Sequence, residues 1–366
     1  MTLAPVEQRA IRTEAERLHT LFEATGAVPV EAAILQPAEV LLDLYGEDIR
    51  ARAYVTSDAL RGEQMLRPDF TVPVVQMHMA HGAEPACYTY SGPVFRRQEE
   101  DAGRPSEYTQ VGFEVFDRAN PEASDARVFS LFHDVLSPLK LRAATGDIGI
   151  LMAAVDGLKT SERRKSALRR HIWRPRRFRA LLDRFSGRSP VPAARAALLS
   201  NPDPLSEIGT LVGLRSMGDI ASRIEVLRED AALPTISSGE VALLDAILLV
   251  QETSDNALER LRDIAVDMPA ISGAVARLER RLDALSSQGI DVTRLDFEAS
   301  YGRTQMEYYD GFVFGFYAEA RPDLPPVASG GRYDALTRHL GGGAEIPAVG
   351  GVIRPELVLT VGDGAR

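Results

Sequence analysis

Tyr88-Thr-Tyr-Ser-Gly-Pro-Val-Phe-Arg-Arg-Gln98 and Tyr108-Thr-Gln-Val-Gly-Phe-Glu-Val-Phe-Asp117 are two arms of aromatic and β-branched residues. Between them lie the turn formers Asp101, Gly103, Pro105 and Ser106, so the stretch reads as a long antiparallel hairpin. Strand periodicity puts Tyr108, Gln110, Gly112, Glu114 and Phe116 on one face, and Thr109, Val111, Phe113 and Val115 on the other. The second face is the packed one. On the first, an amide and a carboxylate flank a glycine, which lets a ligand approach the backbone and meet two polar groups. Arg96, at the end of the opposite arm, offers a guanidinium to the same cleft. The alternative is a half-exposed hairpin with a solvated polar face.

The chain around this hairpin has the composition of a soluble globular protein: 366 residues, 45% hydrophobic and 26% charged. That length predicts a large core plus a smaller unit. A formal net charge of −10 argues against a surface built for nucleic acid. The single cysteine, Cys87, excludes an internal disulfide framework and fits a reducing, cytoplasmic setting. The N-terminus lacks the apolar run of a signal peptide. The most apolar stretch, Val241–Val250, is interrupted by Asp245 and reads as a buried helix, not a membrane span. His78 and His81 have helical spacing, but no further ligand cluster lies near them, so no metal site is assigned and no cofactor is expected.

Before the hairpin, Val6–Thr25 reads as an amphipathic helix, Ala27–Ala33 as a strand and Pro37–Tyr45 as a helix. After it, Pro121–Leu139 is predicted helical, with Ser124 or Asp125 near its start, and Thr145–Leu158 is a strand running into a helix. Ser161–Arg188 is the one basic region of an acidic chain. It reads as a solvated helical face, a phosphate-binding surface, or a dock for an acidic partner in which Arg174, Arg176 and Arg177 take part. Residues from about Leu205 to Gln288 read as all-helical. Met306–Tyr317 reads as a strand, with Phe312, Phe314 and Phe316 on one face and Tyr309, Gly311, Val313, Gly315 and Tyr317 on the other. The expected class is α+β: residues 1–155 and 290–366 form an antiparallel-sheet core flanked by helices, and 156–289 is a helical insertion.

Gly92-Pro-Val-Phe-Arg96, the Gly103-Arg104 loop and Gln110…Glu114 resemble motif 2 of the class II aminoacyl-tRNA synthetases, and the histidyl enzymes above all. The helix–strand pair near the N-terminus is similar to motif 1, the homodimer interface of that family. The family's motif 1 proline is replaced by Ala33. Leu66-Arg-Pro-Asp-Phe-Thr-Val-Pro73 resembles the stretch whose acidic residue and threonine hold the α-amino group, which implies that role for Asp69 and Thr71. In an extended segment the two share a face; alternatively Asp69 caps a helix beginning near Pro73. Tyr308-Tyr309 is similar to the tyrosine pair whose member contacts the substrate imidazole. Ser329–Leu336 and Pro347–Val352 resemble motif 3 and its approach.

The departures are concentrated in the ATP half of the pocket. Arg96 is kept, but Thr304 occupies the register of the second arginine, Leu357 that of the motif 3 arginine, Gln98 that of a glutamate and Ser106 that of a loop arginine. Losing one preorganised charge partner typically costs about 10²–10³ in rate. The amino-acid half, Asp69, Thr71, Gln110, Glu114 and Tyr309, is retained. A synthetase-like core so altered, with no anticodon-binding domain in view, is similar to the regulatory subunits of ATP phosphoribosyltransferase. That resemblance implies a non-catalytic activator of the short-form catalytic subunit, a homodimer within a hetero-oligomer, and free histidine as a feedback ligand. It implies neither nucleic acid nor membrane.

Overall fold

The computed structural model describes residues 5–45, 49–98, 105–206, 209, 213–303 and 308–364. Twelve strands are present among them: β1 (Val28–Pro29), β2 (Leu35–Pro37), β3 (Val55–Asp58), β4 (Gly62–Leu66), β5 (Ala86–Phe95), β6 (Glu107–Phe116), β7 (Arg142–Asp147), β8 (Gln251–Thr253), β9 (Asp296–Glu298), β10 (Phe312–Tyr317), β11 (Ala328–Arg332) and β12 (Ala348–Ile353). Nine build one sheet, in the order β1-β5-β6-β12-β11-β10-β7-β9-β8, and β2-β4-β3 form a smaller one. The central run from β5 to β7 is antiparallel throughout. The parallel pairs are β1 with β5 and β7 with β9.

The hairpin is β5 and β6, in the register Gly92↔Gln110, Tyr90↔Gly112 and Tyr88↔Glu114. Its apolar face is packed as expected. Phe113 lies 5.4 Å from Phe22 of helix Pro5–Glu23, and Phe22 in turn stacks on Phe132 at 5.5 Å. Helix Pro121–Leu136 covers the phenylalanine face of β10, with Phe129 within 5.3–6.2 Å of Phe312, Phe314 and Phe316. Ring pairs in this range add to the area buried, so this face anchors the sheet. The polar face of the hairpin is not solvated: Gln110 and Glu114 are each 1% exposed. Helix Thr71–His81 packs over that side, where His78 stacks on Phe116 at 3.9 Å and bonds Tyr88 Oη through Nδ1 at 3.0 Å. Burial holds the His78 imidazole below its usual range.

Several expectations are corrected. The strand expected over Ala27–Ala33 is only Val28–Pro29. The helix expected from Pro73 begins at Thr71, so Asp69 and Thr71 do not share an extended segment; Asp69 Oδ1 accepts from the Val72 amide at 3.3 Å. The helix after the hairpin is Pro121–Leu136, with Ser124 and Asp125 near its start as read; its cap is Asn120, whose side chain accepts from the Ala123 amide with Pro121 in the first turn. Asp125 is also a buried ion-pair partner. Tyr309 precedes β10 rather than lying in it, since its carbonyl accepts from the Trp173 indole at 3.1 Å. Thr304, Gly103 and Arg104 lie outside the described residues.

The middle of the chain is helical, with Ser216 and Ser237 forming reciprocal capping boxes with Asp219 and Glu240. It is not all-helical: β8 extends the main sheet by pairing with β9. Helix Ser272–Ser287 from this region docks on the core through charge. Arg281, 3% exposed, reaches Asp125 at 3.2 Å and Asp147 at 2.5 Å. Asp125 also receives Arg332 Nε at 3.0 Å and Nη2 at 2.7 Å. In this cluster of Arg281, Arg332, Asp125 and Asp147 each charge is met by an opposite one.

Candidate functional site

The site grows from one row of the sheet. Glu114, Gly350, Gly331 and Val313 are successive cross-strand partners on β6, β12, β11 and β10. The two glycines leave a trough above the backbone. A Cβ on Gly350 would stand 1.5 Å from Glu114 Oε2, and one on Gly331 would stand 2.8 Å from the Tyr309 ring. Gly112, two register pairs from Glu114 on the same face, makes the same room for the ring of Tyr90. Glycine is required at these places because side chains of neighbouring strands fold across them.

Glu114 lies in this trough, held by three hydroxyls. Thr71 Oγ1 and Tyr90 Oη donate to Oε1 at 3.0 and 2.8 Å, and Tyr333 Oη donates to Oε2 at 2.6 Å. Burial pushes the carboxyl up to about 7 despite those hydroxyls, and the nearby charge of Asp69 adds to the rise. A carboxylate offers about four lone-pair sites, so three donors leave roughly one for a further N–H. Gln110 Oε1 is also buried and has no hydrogen-bond partner. The phenol of Tyr309, 6% exposed, is raised by burial and then by the charge of Glu114, with Asp69 and Arg96 also felt. Arg96 Nε donates to the Pro68 carbonyl at 2.9 Å, beside Asp69, and its guanidinium lies 5.8 Å from the Tyr108 ring.

Asp69, Thr71, Arg96, Glu114 and Tyr309 therefore share one polar locus with an aromatic wall, and Gln110 lies on the same face of β6, four positions from Glu114. Tyr90 and Tyr333 were not singled out from the sequence. Their signal was available: Tyr90 is in register with Gly112, and Tyr333 follows Gly331 by two positions, but which carboxylate they meet depends on strand order. The positions that depart from the synthetase pattern lie elsewhere. Leu357 is half-buried in helix Pro355–Gly364 and packs against the core, and Gln98 is exposed, 3.4 Å from the Pro105 carbonyl. Among the described residues no cluster of three or more His, Cys, Asp or Glu could hold a metal, and no helix is long and apolar enough to cross a membrane.

Arg174, Arg176 and Arg177 are not part of this locus. They lie at the start of helix Pro175–Phe185, with Arg176 and Arg177 exposed. The basic stretch as a whole does have internal partners. Arg164 is buried against Asp230 at 2.7 Å, Arg169 meets Asp156 and Glu162, and Arg179 and Arg188 meet Asp245.

The family model described as histidyl-tRNA synthetase matches residues 2–202 and 211–358. Relatives from Brucella canis and Brucella suis, both named ATP phosphoribosyltransferase regulatory subunit, are 31% identical over 91% of this chain and 93% of their own. A solved structure from Bacillus halodurans, described as an ATP phosphoribosyltransferase regulatory subunit/histidyl-tRNA synthetase, superposes with a TM-score of 0.69 at 19% identity, covering 99% of this chain and 81% of that one. The histidyl-tRNA synthetase of Nostoc sp. PCC 7120 gives 0.65 at 17%, covering 100% and 74%. The fold is that of the class II synthetases, and the chain belongs to the family of ATP phosphoribosyltransferase regulatory subunits.

Proposed function

We propose that this chain is a non-catalytic subunit that activates the short-form catalytic subunit of ATP phosphoribosyltransferase and binds free histidine in the locus around Glu114. In this reading 1–155 and 290–366 are the synthetase-like core, 156–289 is the inserted helical unit, and the protein is a cytoplasmic homodimer within a hetero-oligomer. The supporting observation is the contrast between the halves of the ancestral site. Glu114 keeps a full set of hydroxyl donors and a spare acceptor site, while Leu357 packs into apolar surroundings where a phosphate-binding arginine would be needed. Glu114 and Gln110 would accept from the ligand's amino and imidazole N–H groups, Asp69 would balance the ammonium, and Tyr309 would lie against the ring. Catalysis resides in the partner.

Activation by a subunit that brings no reactive group must arise from contacts that differ between two states of the partner. A factor of ten needs about 1.4 kcal/mol. Arg174, Arg176 and Arg177 are the contact surface proposed. Arg176 and Arg177 are exposed, and such a contact is screened by salt beyond roughly 8–10 Å. The test mixes this chain with the short catalytic subunit and measures the rate, complex formation and the effect of histidine. Activation by wild type, weakened by added salt and by changing all three arginines to glutamate, is expected. Absence of activation at micromolar subunit would reject the function. Activation unchanged in the triple variant would move the docking surface elsewhere.

A further inference from the structure

One hydrogen bond joins the helical middle to Tyr309, and a second joins it to Arg303. The indole N–H of Trp173 donates to the Tyr309 carbonyl at 3.1 Å, and the Ile172 carbonyl accepts from Arg303 Nε at 2.8 Å. Both come from the turn His171–Arg174, between helices Glu162–Arg170 and Pro175–Phe185. Ile172 is fully buried and Trp173 packs partly buried against the core. Arg303, 5% exposed, leaves Nη2 without a partner and sets its guanidinium 5.0 Å from the Phe178 ring. Burial lowers it to about 10. A charged group is held there in spite of its surroundings, which marks the contact as specific rather than a filler of space.

On the other side, the Tyr309 segment is in contact with the Glu114 cage. The rings of Tyr308 and Tyr309 are 5.0 Å apart, Tyr308 meets Tyr333 at 6.0 Å, and Tyr333 Oη donates to Glu114. A continuous set of packed groups thus runs from the Glu114 carboxylate through Tyr333, Tyr308 and Tyr309 to Trp173. The residue after Trp173 is Arg174, at the N-cap of helix Pro175–Phe185, and Arg176 and Arg177 are exposed in its first turn.

We infer that the turn His171–Arg174 couples the Glu114 locus to the first turn of helix Pro175–Phe185, with Trp173 as the positioning residue that holds Tyr309. This rests on the histidine-binding reading above. A ligand seated against the Tyr309 ring restrains the peptide whose carbonyl receives the Trp173 N–H, and so orders the turn and the start of the next helix. The reverse follows by linkage: whatever binds and fixes that helix start changes the affinity of the locus by the same factor.

The sequence contains one tryptophan, so Trp173 is its own reporter. The experiment titrates free histidine into the full-length chain with three readouts: calorimetric heat, tryptophan emission, and amide hydrogen exchange of 171–185. Saturable heat accompanied by a shift in emission and slower exchange across 171–185 is expected. Trp173→Phe keeps an aromatic side chain, smaller than the indole, and removes the donor. It should weaken histidine binding about three- to ten-fold, the range for losing one hydrogen bond, and abolish the ligand-dependent protection of 175–185. No heat in the wild type overturns the histidine-binding reading and the coupling with it. Heat with unchanged emission and exchange overturns the coupling alone, as does Trp173→Phe protein that retains wild-type affinity and protection.

Discussion

Glu114→Gln tests the site through stability before any ligand is added. Burial raises this carboxyl from 4.5 to about 7 in the folded chain. Below pH 4.5 it is protonated in both folded and unfolded chains. Between 4.5 and 7 the folded chain keeps a proton that the unfolded chain has lost. Above 7 it is ionised in both. The folded state binds more protons across that window, so stability attributable to Glu114 is full at low pH and falls as pH rises through it. One pKa unit is about 1.4 kcal/mol, so moving from pH 5 to pH 8 should cost the wild type about 2–3 kcal/mol through this group. An amide cannot ionise, yet it resembles the protonated carboxyl in size. The two proteins should therefore be nearly equally stable at pH 5, and the Glu114→Gln protein more stable by about 2–3 kcal/mol at pH 8. Asp310, also pushed up to about 7 by burial and then Asp334, is common to both and cancels in the difference. Urea unfolding of both proteins at pH 5, 6, 7 and 8 provides the measurement. A difference that does not change with pH would show that Glu114 is not a buried proton-holding carboxyl, and the geometry assigned to the cage would be refuted.

Asp125→Ala should lower the unfolding free energy by about 3–5 kcal/mol, because Arg281 and Arg332 lose a shared buried partner; a urea midpoint equal to wild type would contradict this. Gly350→Ala places a methyl on the Glu114 carboxylate, and should cost about 1–3 kcal/mol in stability while reducing histidine binding by calorimetry more than ten-fold. Wild-type protein should not support ATP–pyrophosphate exchange with histidine, since Leu357 and the packing around it supply no phosphate partner; exchange at a synthetase-like rate would restore an adenylating function.

The sequence alone determined the hairpin and its packed face. An apolar β-branched and aromatic alternation admits one orientation toward the core, and Phe22 and Phe132 complete it. It also determined the family, because Gly92–Arg96, Gln110…Glu114 and Ser329–Leu336 are local strings that can be read without knowing the fold, and the family they point to is the one the relatives show. What it left undecided depended on strand order and on partners distant in sequence. Whether the polar face of the hairpin met water or other side chains was settled by helix Thr71–His81 lying over it. Glu114 became a caged carboxyl only when β12 placed Gly350 beside it and the Tyr333 hydroxyl arrived, 219 positions away. Asp125 looked like a helix start, since a buried bridge to Arg281 and Arg332 leaves no local pattern. The basic stretch looked like a free face, because the partners of Arg164, Arg179 and Arg188, namely Asp230 and Asp245, come from later helices. Periodicity reports which side of an element is apolar. The chemistry of a buried polar site depends on which distant donors are folded against it, and only the tertiary structure decides that.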